Sequence, residues 1–207
     1  ALSFEKNKGV LLALMETLAK SGDQAQAEAE LEKYVAEDPT DAGLVWMLAR
    51  VYNARKEFEK AQAVLIHAID ANPTATQLKW LLADVYRRQD KFDEAETLIA
   101  GTVRDNPTPE AYRALAGLYA IAQRADDAEK AFRRGIEAFP SFLPNYTDLA
   151  DMLSTGNNYA RGIDVLESGI KANANDELFY DALGRFYIKH GREKDAVDFM
   201  QKTLETH

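Results

Sequence analysis

The chain has 207 residues, of which 46% are hydrophobic and 29% are charged, a composition that is ordinary for a globular protein with its own core. Its 34 acidic and 25 basic side chains give a formal charge of −9, and this acidity argues against a nucleic-acid-binding protein, which needs a basic surface. The absence of cysteine excludes a disulfide framework, a cysteine nucleophile and a thiolate metal site, and no apolar run approaches the roughly 20 residues that cross a bilayer.

A repeat of 33 or 34 residues runs through the whole sequence. Its clearest column is leucine, at Leu14, Leu48, Leu82, Leu115, Leu149 and Leu183. A small residue follows five of these leucines, at Ala49, Ala83, Ala116, Ala150 and Gly184. A second column of small residues keeps the same spacing, at Ala27, Ala61, Ala95, Ala128, Gly162 and Ala196. Such a period indicates a stack of similar supersecondary units.

Each repeat predicts two amphipathic helices. In the second repeat, Leu48, Ala49 and Tyr52 share one face of a first helix, and Ala61 and Leu65 share one face of a second helix. We place the helix pairs, in chain order, at 8–41, 42–75, 76–108, 109–142, 143–176 and 177–207. Short turns join the two helices of a pair, most clearly at 21–23, 155–158 and 190–192. Proline separates successive pairs, at Pro39, Pro73, Pro107 and Pro140.

These columns resemble the tetratricopeptide repeat family, whose pattern includes Leu-Gly/Ala, Tyr, Ala and a closing Pro. The resemblance covers essentially the whole chain, although the third repeat is one residue short and Gly135 and Gly169 replace a usual alanine. It implies an all-α fold, a right-handed superhelical solenoid of antiparallel helix pairs, formed as a single domain over 1–207. In that family the first helices line a concave groove and the second helices form a convex face.

The resemblance also implies where a partner would bind. Groove residues of the family lie on the first helix of each pair, three before, one after and four after the small-residue column. From these positions we predict a partner-binding patch made by Trp46, Arg50, Asn53, Trp80, Asp84, Arg87 and Arg113. Tryptophan and arginine are enriched at binding hot spots, so the patch is predicted to hold a peptide or a small part of a protein partner.

Both tryptophans are offset by one residue from the family's tryptophan position, which holds Val45 and Lys79 in this chain. One residue turns a helical side chain by about 100°. We therefore expect Trp46 and Trp80 to turn away from the packing within a helix pair and toward the groove. The alternative is that each ring packs sideways against the neighbouring first helix.

The family's best-known groove holds acidic C-terminal tails of chaperones, with Lys and Asn on the first helix of its first unit. Leu12 and Glu16 occupy those positions in this chain, so we do not expect that specificity. The arginines of the patch still fit a carboxylate bidentately, which keeps an acidic ligand open as an alternative.

No pattern in the sequence points to catalysis. His67, His190 and His207 fall in three separate places without metal-ligand spacing, and we expect each of them on the surface. No glycine-rich phosphate loop and no nucleophile elbow occur. The sequence therefore predicts a protein that is not an enzyme and that has no cofactor and no metal site.

The predicted function is a non-enzymatic protein–protein interaction scaffold in a bacterial assembly or secretion complex, in the cytoplasm or periplasm. A second interpretation is a regulatory or substrate-presenting repeat segment of a larger enzyme. The chain starts at Ala1 rather than at a methionine, without a signal region, so we expect a processed or trimmed chain. It ends at His207 directly after a second helix, and a third interpretation is self-association through the terminal units.

Overall fold

The structure is a computed structural model that describes residues 24–154 and 159–206. Within these residues the chain forms eleven α-helices and no β-strand. The helices are α1 (Gln24–Glu37), α2 (Ala42–Ala54), α3 (Phe58–Ala71), α4 (Thr76–Arg88), α5 (Phe92–Asp105), α6 (Pro109–Ile121), α7 (Ala125–Ala138), α8 (Leu143–Leu153), α9 (Ala160–Ala172), α10 (Glu177–Lys189) and α11 (Glu193–Thr206). Outside the described residues lie the predicted first helix of 8–41, the predicted turns at 21–23 and 155–158, Leu12, Glu16 and His207.

The helices follow the repeat. From α2 onward they form five consecutive pairs, and each pair falls within one predicted repeat, so the predicted all-α class and its helix pairs are confirmed. The four prolines of the repeat lie between pairs, outside every helix. Across residues 24–154 and 159–206, no helix is both long and apolar enough to cross a membrane.

Three of the first helices begin at a side-chain cap. The Asp41 carboxylate accepts hydrogen bonds from the N–H groups of Gly43 and Leu44, at 2.9 and 3.0 Å, at the start of α2. Thr108 caps α6 and Asp176 caps α10 in the same way. These caps satisfy amide donors that have no partner inside the helix, which sets where each first helix starts.

The turns between paired helices use a left-handed residue. Lys56, Asp90, Gln123 and Gly191 have φ angles of 63°, 60°, 60° and 68°, each just before a second helix. Gly191, in the predicted turn at 190–192, is the one glycine among these four. The tight connection imposes the left-handed conformation on the other three in spite of a cost of roughly 1–2 kcal/mol each.

Contacts divide the chain into two compact units, one up to Ile99 and one from Ala100 onward. In the first unit the core is formed where α2 and α4 bury one face against α1 and α3. Its fully or nearly fully buried side chains include Leu31, Leu44, Val45, Leu48, Leu65, Leu78 and Leu82. Burying each such side chain stabilises the fold by roughly 1.5–3 kcal/mol, and this keeps one face of α2 and α4 in the core. The opposite face of both helices carries polar and half-buried residues.

In the second unit, aromatic rings fill space that two glycines leave free. The rings of Tyr146 on α8 and Phe179 on α10 meet edge to face, with centroids 5.3 Å apart. A Cβ atom added at Gly169 would lie 2.8 Å from Cδ1 of Phe179 and 3.0 Å from Cδ1 of Tyr146. A Cβ atom added at Gly135 would lie 2.8 Å from Cβ of Tyr112. The two departures from alanine in the repeat are therefore explained by close packing of aromatic side chains.

Candidate functional site

A cleft of about 510 Å³ lies between α2 and α4, on the face that their buried leucines leave free. The residues that line it are Trp46, Arg50, Gln77, Trp80, Leu81 and Asp84. On α2, Trp46 and Arg50 are one helical turn apart, and on α4 the other four residues share one face. The structure thus brings four residues of the predicted patch into one cleft within the first unit.

The two tryptophan rings occupy this cleft from opposite helices. Val45, which holds the family's tryptophan position, is fully buried in the core, whereas Trp46 and Trp80 are half buried. Trp46 also packs against the core cluster of the first unit. The indole Nε1 of Trp80 is buried and has no hydrogen-bond partner among the described residues.

Arg50 is held over an aromatic face. Its guanidinium carbon lies 4.4 Å from the centroid of the Trp46 ring, one turn earlier on the same helix. Such cation–π contacts are worth roughly 0.5–1 kcal/mol at exposed sites, enough to favour one orientation of a flexible side chain. Arg50 is exposed, and its side chain forms no ion pair with any residue of 24–154 or 159–206.

Asp84 is the centre of a polar network at the end of the cleft. Its carboxylate accepts hydrogen bonds from Nδ2 of Asn53 at 2.9 Å, from Nη2 of Arg87 at 2.5 Å and from Nε of Arg88 at 3.2 Å. Burial raises the pKa of Asp84, but the hydrogen bonds from Arg87 and Asn53 and the two positive charges outweigh it, and the pKa lies below its ordinary value. Asp84 is therefore ionised and fully engaged at neutral pH.

Three residues of the predicted patch do not line the cleft. Asn53, predicted to line the groove, is buried with 5% of its surface exposed, and its side chain donates a hydrogen bond to Asp84. Arg113 lies in the second unit, on α6, and its Nε donates to Oδ2 of Asp148 on α8 at 2.5 Å. Arg87 does not line the cleft itself but donates to Asp84.

Gln77 and Leu81 line the cleft and are missing from the sequence-based patch. Gln77 lies one turn before Trp80 on the same face of the helix, so helical periodicity alone could have identified it as a lining residue. Leu81 is adjacent to Trp80 and falls at none of the three groove positions that the resemblance implies, so only the packing of the helices reveals it.

The first helices of the second unit also form a cleft, of about 300 Å³ between α8 and α10. Its charged side chains are paired: Lys189 donates to Asp151 at 2.7 Å, and Arg185 lies 2.6 Å from Asp181. This cleft contains no tryptophan, and Leu178 is its most exposed apolar side chain. The aromatic character of the first-unit cleft is therefore not a general property of every pair of first helices.

His190 is not the surface residue that the sequence suggests. It ends α10 in a half-buried position, and its ring centroid lies 4.4 Å from those of both Tyr159 and Phe186. Its Nε2 atom is buried without a hydrogen-bond partner among the described residues. The expectation for His190 is wrong because the ring packs against Tyr159, just before α9, and Phe186 on α10, whereas His67 is exposed as expected.

Comparison with known proteins supports the repeat assignment. A tetratricopeptide repeat model matches residues 18–74 and 52–118. No curated protein sequence gives a significant match. A solved tetratricopeptide repeat protein from Parabacteroides merdae ATCC 43184 is similar at 18% identity and a TM-score of 0.59, over 99% of this chain and 80% of its own.

Two further solved structures share the fold. Pseudomonas aeruginosa pilF is similar at 14% identity and a TM-score of 0.60, over 98% of this chain and 93% of its own. Yeast Tom70 is similar at 18% identity and a TM-score of 0.68, over 94% of this chain but only 42% of its own. Identities this low establish the fold alone. With the sequence columns, the helix pairs and the matching family model, they lead to one conclusion: the chain belongs to the tetratricopeptide repeat family.

Proposed function

We propose that the protein is a non-enzymatic scaffold that binds a segment of a protein partner in the cleft between α2 and α4. The tetratricopeptide fold is one of protein–protein interaction, and this supports a protein as the ligand. The observation that carries the proposal is the pair of half-buried tryptophans that face one cleft beside an exposed, oriented Arg50. Large aromatic side chains and arginine supply most of the binding energy at protein interfaces.

The proposed setting is a bacterial assembly or secretion complex, in the cytoplasm or the periplasm. Similar folds in proteins of Parabacteroides merdae and Pseudomonas aeruginosa support a bacterial setting. The proposal includes no catalytic role, because the cleft offers aromatic, amide and engaged acidic groups rather than a nucleophile with an adjacent base.

Affinity capture from a native extract tests the binding site. The bait proteins are the unmodified chain, a Trp46→Ala, Trp80→Ala double variant and an Ile66→Ala control, which removes an exposed apolar side chain from α3 in the same unit. Circular dichroism establishes that each bait is folded. We expect a partner that the unmodified chain and the control retain and the double variant loses. A partner retained equally by all three places the contact elsewhere and contradicts the proposal.

Self-association through the last helix pair is a second proposed contact. Four of the six large apolar side chains that are exposed in the described residues lie on α10 and α11: Leu178, Ile188, Val197 and Leu204. Leu204 is the most exposed of them at 83% and borders a cleft of about 700 Å³. Light scattering across a concentration series, with Leu204→Lys as the comparison, tests it. A strict monomer at high concentration contradicts it.

A further inference from the structure

We infer that the segment bound between α2 and α4 is an internal stretch of the partner with an Asp or Glu side chain beside an apolar side chain. The carboxylate pairs with Arg50, and the apolar side chain rests on Trp46, Trp80 and Leu81. This inference rests on the proposed function, because it names the chemistry of the ligand in the same cleft.

The guanidinium of Arg50 has an orientation that suits a carboxylate ligand. The Trp46 ring takes one face of the guanidinium plane, which leaves the donors at its edge unoccupied by any described residue. A guanidinium edge matches a carboxylate with two parallel hydrogen bonds, and this geometry suits Arg better than any other cation. Because the stacking already favours one orientation, the pairing requires little further ordering of the side chain.

The acidic residue of the cleft does not compete for Arg50. The Asp84 carboxylate is engaged by Asn53, Arg87 and Arg88 and lies 34% exposed. Three arginines, Arg50, Arg87 and Arg88, accompany this one aspartate on α2 and α4, so these two helices carry an excess of positive charge in a chain with a formal charge of −9, while Arg50 and Asp84 balance each other in the cleft lining itself. This local charge is complementary to an acidic segment and repels a basic one.

Basic groups on the first helices of this chain already pair with side-chain carboxylates, and we base the proposed ligand on these pairs. On the first helices, basic groups meet aspartate side chains repeatedly: Arg113 with Asp148, Lys189 with Asp151, and Arg87 with Asp84. Arg50 is on the same kind of helix and has no such aspartate among the described residues. An Asp or Glu side chain of the partner would give Arg50 the same kind of pairing.

The size of the cleft sets the length of the segment. A volume of about 510 Å³ lies within the range of pockets that hold small ligands, so it accommodates a few side chains rather than a folded domain. Its apolar surface comes from two half-buried indole rings and Leu81. A short extended stretch with one apolar and one acidic side chain therefore satisfies both the apolar floor and the free cation.

Selection from a peptide library tests the inference. The probe is a phage-displayed library of random linear dodecapeptides, fused through their C-terminal ends so that no free terminal carboxylate is present. Selection is performed on the unmodified chain, and enriched sequences are remade as peptides with an amidated C-terminus. We expect enrichment of Asp or Glu next to an apolar residue, and binding more than about tenfold weaker to Arg50→Glu, because this variant loses a hydrogen-bonded charge pair and adds a like-charge repulsion.

A charge exchange and a matched control make the test specific. Changing the acidic residue of the peptide to Lys should restore binding to Arg50→Glu and weaken binding to the unmodified chain. Lys33→Glu changes the net charge equally but lies on α1, exposed and outside the cleft lining, so it should leave binding within about twofold of the unmodified chain. Circular dichroism confirms that both variants fold.

The outcomes separate this inference from the proposed function. Peptides that require Trp46 and Trp80 but show no acidic preference and bind Arg50→Glu unchanged overturn the inference and leave the cleft as the binding site. Enrichment of basic peptides, or of peptides from a second library with free C-termini alone, also overturns it. Peptides that bind the Trp46→Ala, Trp80→Ala variant as well as the unmodified chain, or no enrichment at all, count against the cleft itself.

Discussion

Asn53 on α2 donates a hydrogen bond to Asp84 on α4, with 2.9 Å between Nδ2 and Oδ2. Asn53 is buried, whereas the Asp84 side chain is partly exposed and also receives Arg87 and Arg88. The bond therefore anchors a surface network to the interior and links the two helices that line the cleft. The stability of this network depends on the ionisation of the Asp84 carboxyl group.

The first prediction concerns pH. Because the folded-state pKa of Asp84 lies below its ordinary value, its ionised form stabilises the folded state above about pH 4, and this contribution is lost as the pH falls through the folded-state pKa. Asp84→Asn should therefore lower the free energy of unfolding at pH 7, and its difference from the unmodified chain should shrink at pH 3. Urea unfolding at both pH values measures this.

The control for this prediction is Asp198→Asn, which alters an exposed carboxyl on α11. We expect the free energy of unfolding of this variant to stay within about 0.5 kcal/mol of the unmodified chain at both pH values. If Asp84→Asn destabilises equally at pH 7 and pH 3, the ionised network does not contribute as inferred.

The second prediction compares two arginines of the predicted patch. Arg113 is already paired with Asp148, whereas Arg50 has no ion pair among the described residues. Arg50→Ala should weaken partner binding about tenfold, and Arg113→Ala should weaken it less, because a cation that keeps its own partner gains little from a ligand. Titration calorimetry with a selected peptide measures both. Equal losses would mean that Arg113 contacts the ligand in spite of Asp148.

The third prediction concerns two helical glycines with opposite surroundings. Gly169→Ala places a methyl group 2.8 Å from the Phe179 ring and should destabilise the fold by roughly 1–3 kcal/mol through overpacking. Gly117→Ala, within α6, meets nothing within 4 Å and should stabilise it by about 1 kcal/mol, since alanine favours helix over glycine.

Chemical denaturation of the two glycine variants measures these changes. The Gly117 variant is the internal control, because it adds the same methyl group to the same kind of backbone. A Gly169→Ala protein as stable as the original would show that Tyr146 and Phe179 move without cost, and the explanation for the missing alanine would then be wrong.

The fourth prediction concerns the single domain expected over 1–207. Each repeat of a solenoid is coupled to its neighbours, and coupling through all the repeats predicts one cooperative unfolding transition. Scanning calorimetry should then give equal calorimetric and van't Hoff enthalpies, with about 0.7 kcal/mol per residue near 60 °C. Two resolved transitions, or a van't Hoff enthalpy near half the calorimetric value, would instead identify the compact units up to Ile99 and from Ala100 as separate domains.

The orientation of the tryptophans is the part of the site for which the sequence carries a local signal. A shift of one residue from the family position turns a helical side chain by about 100°, and this geometry holds within one helix. Val45 is accordingly buried while Trp46 lines the cleft. Asn53 and His190 are different, because whether each is buried depends on the neighbouring helices and not on its own helix.

The sequence by itself determined the repeat, the helix pairs and the all-α class, because a hydrophobic period and proline breaks act over a few residues and recur in every unit. Only the tertiary structure decided which groove residues are free to bind. Asn53 is buried against Asp84, Arg113 is paired with Asp148, and Arg50 has no such partner among the described residues. Those partners are 31 and 35 residues away along the chain, so the packing of separate helices, and not local pattern, sets the chemistry of the cleft.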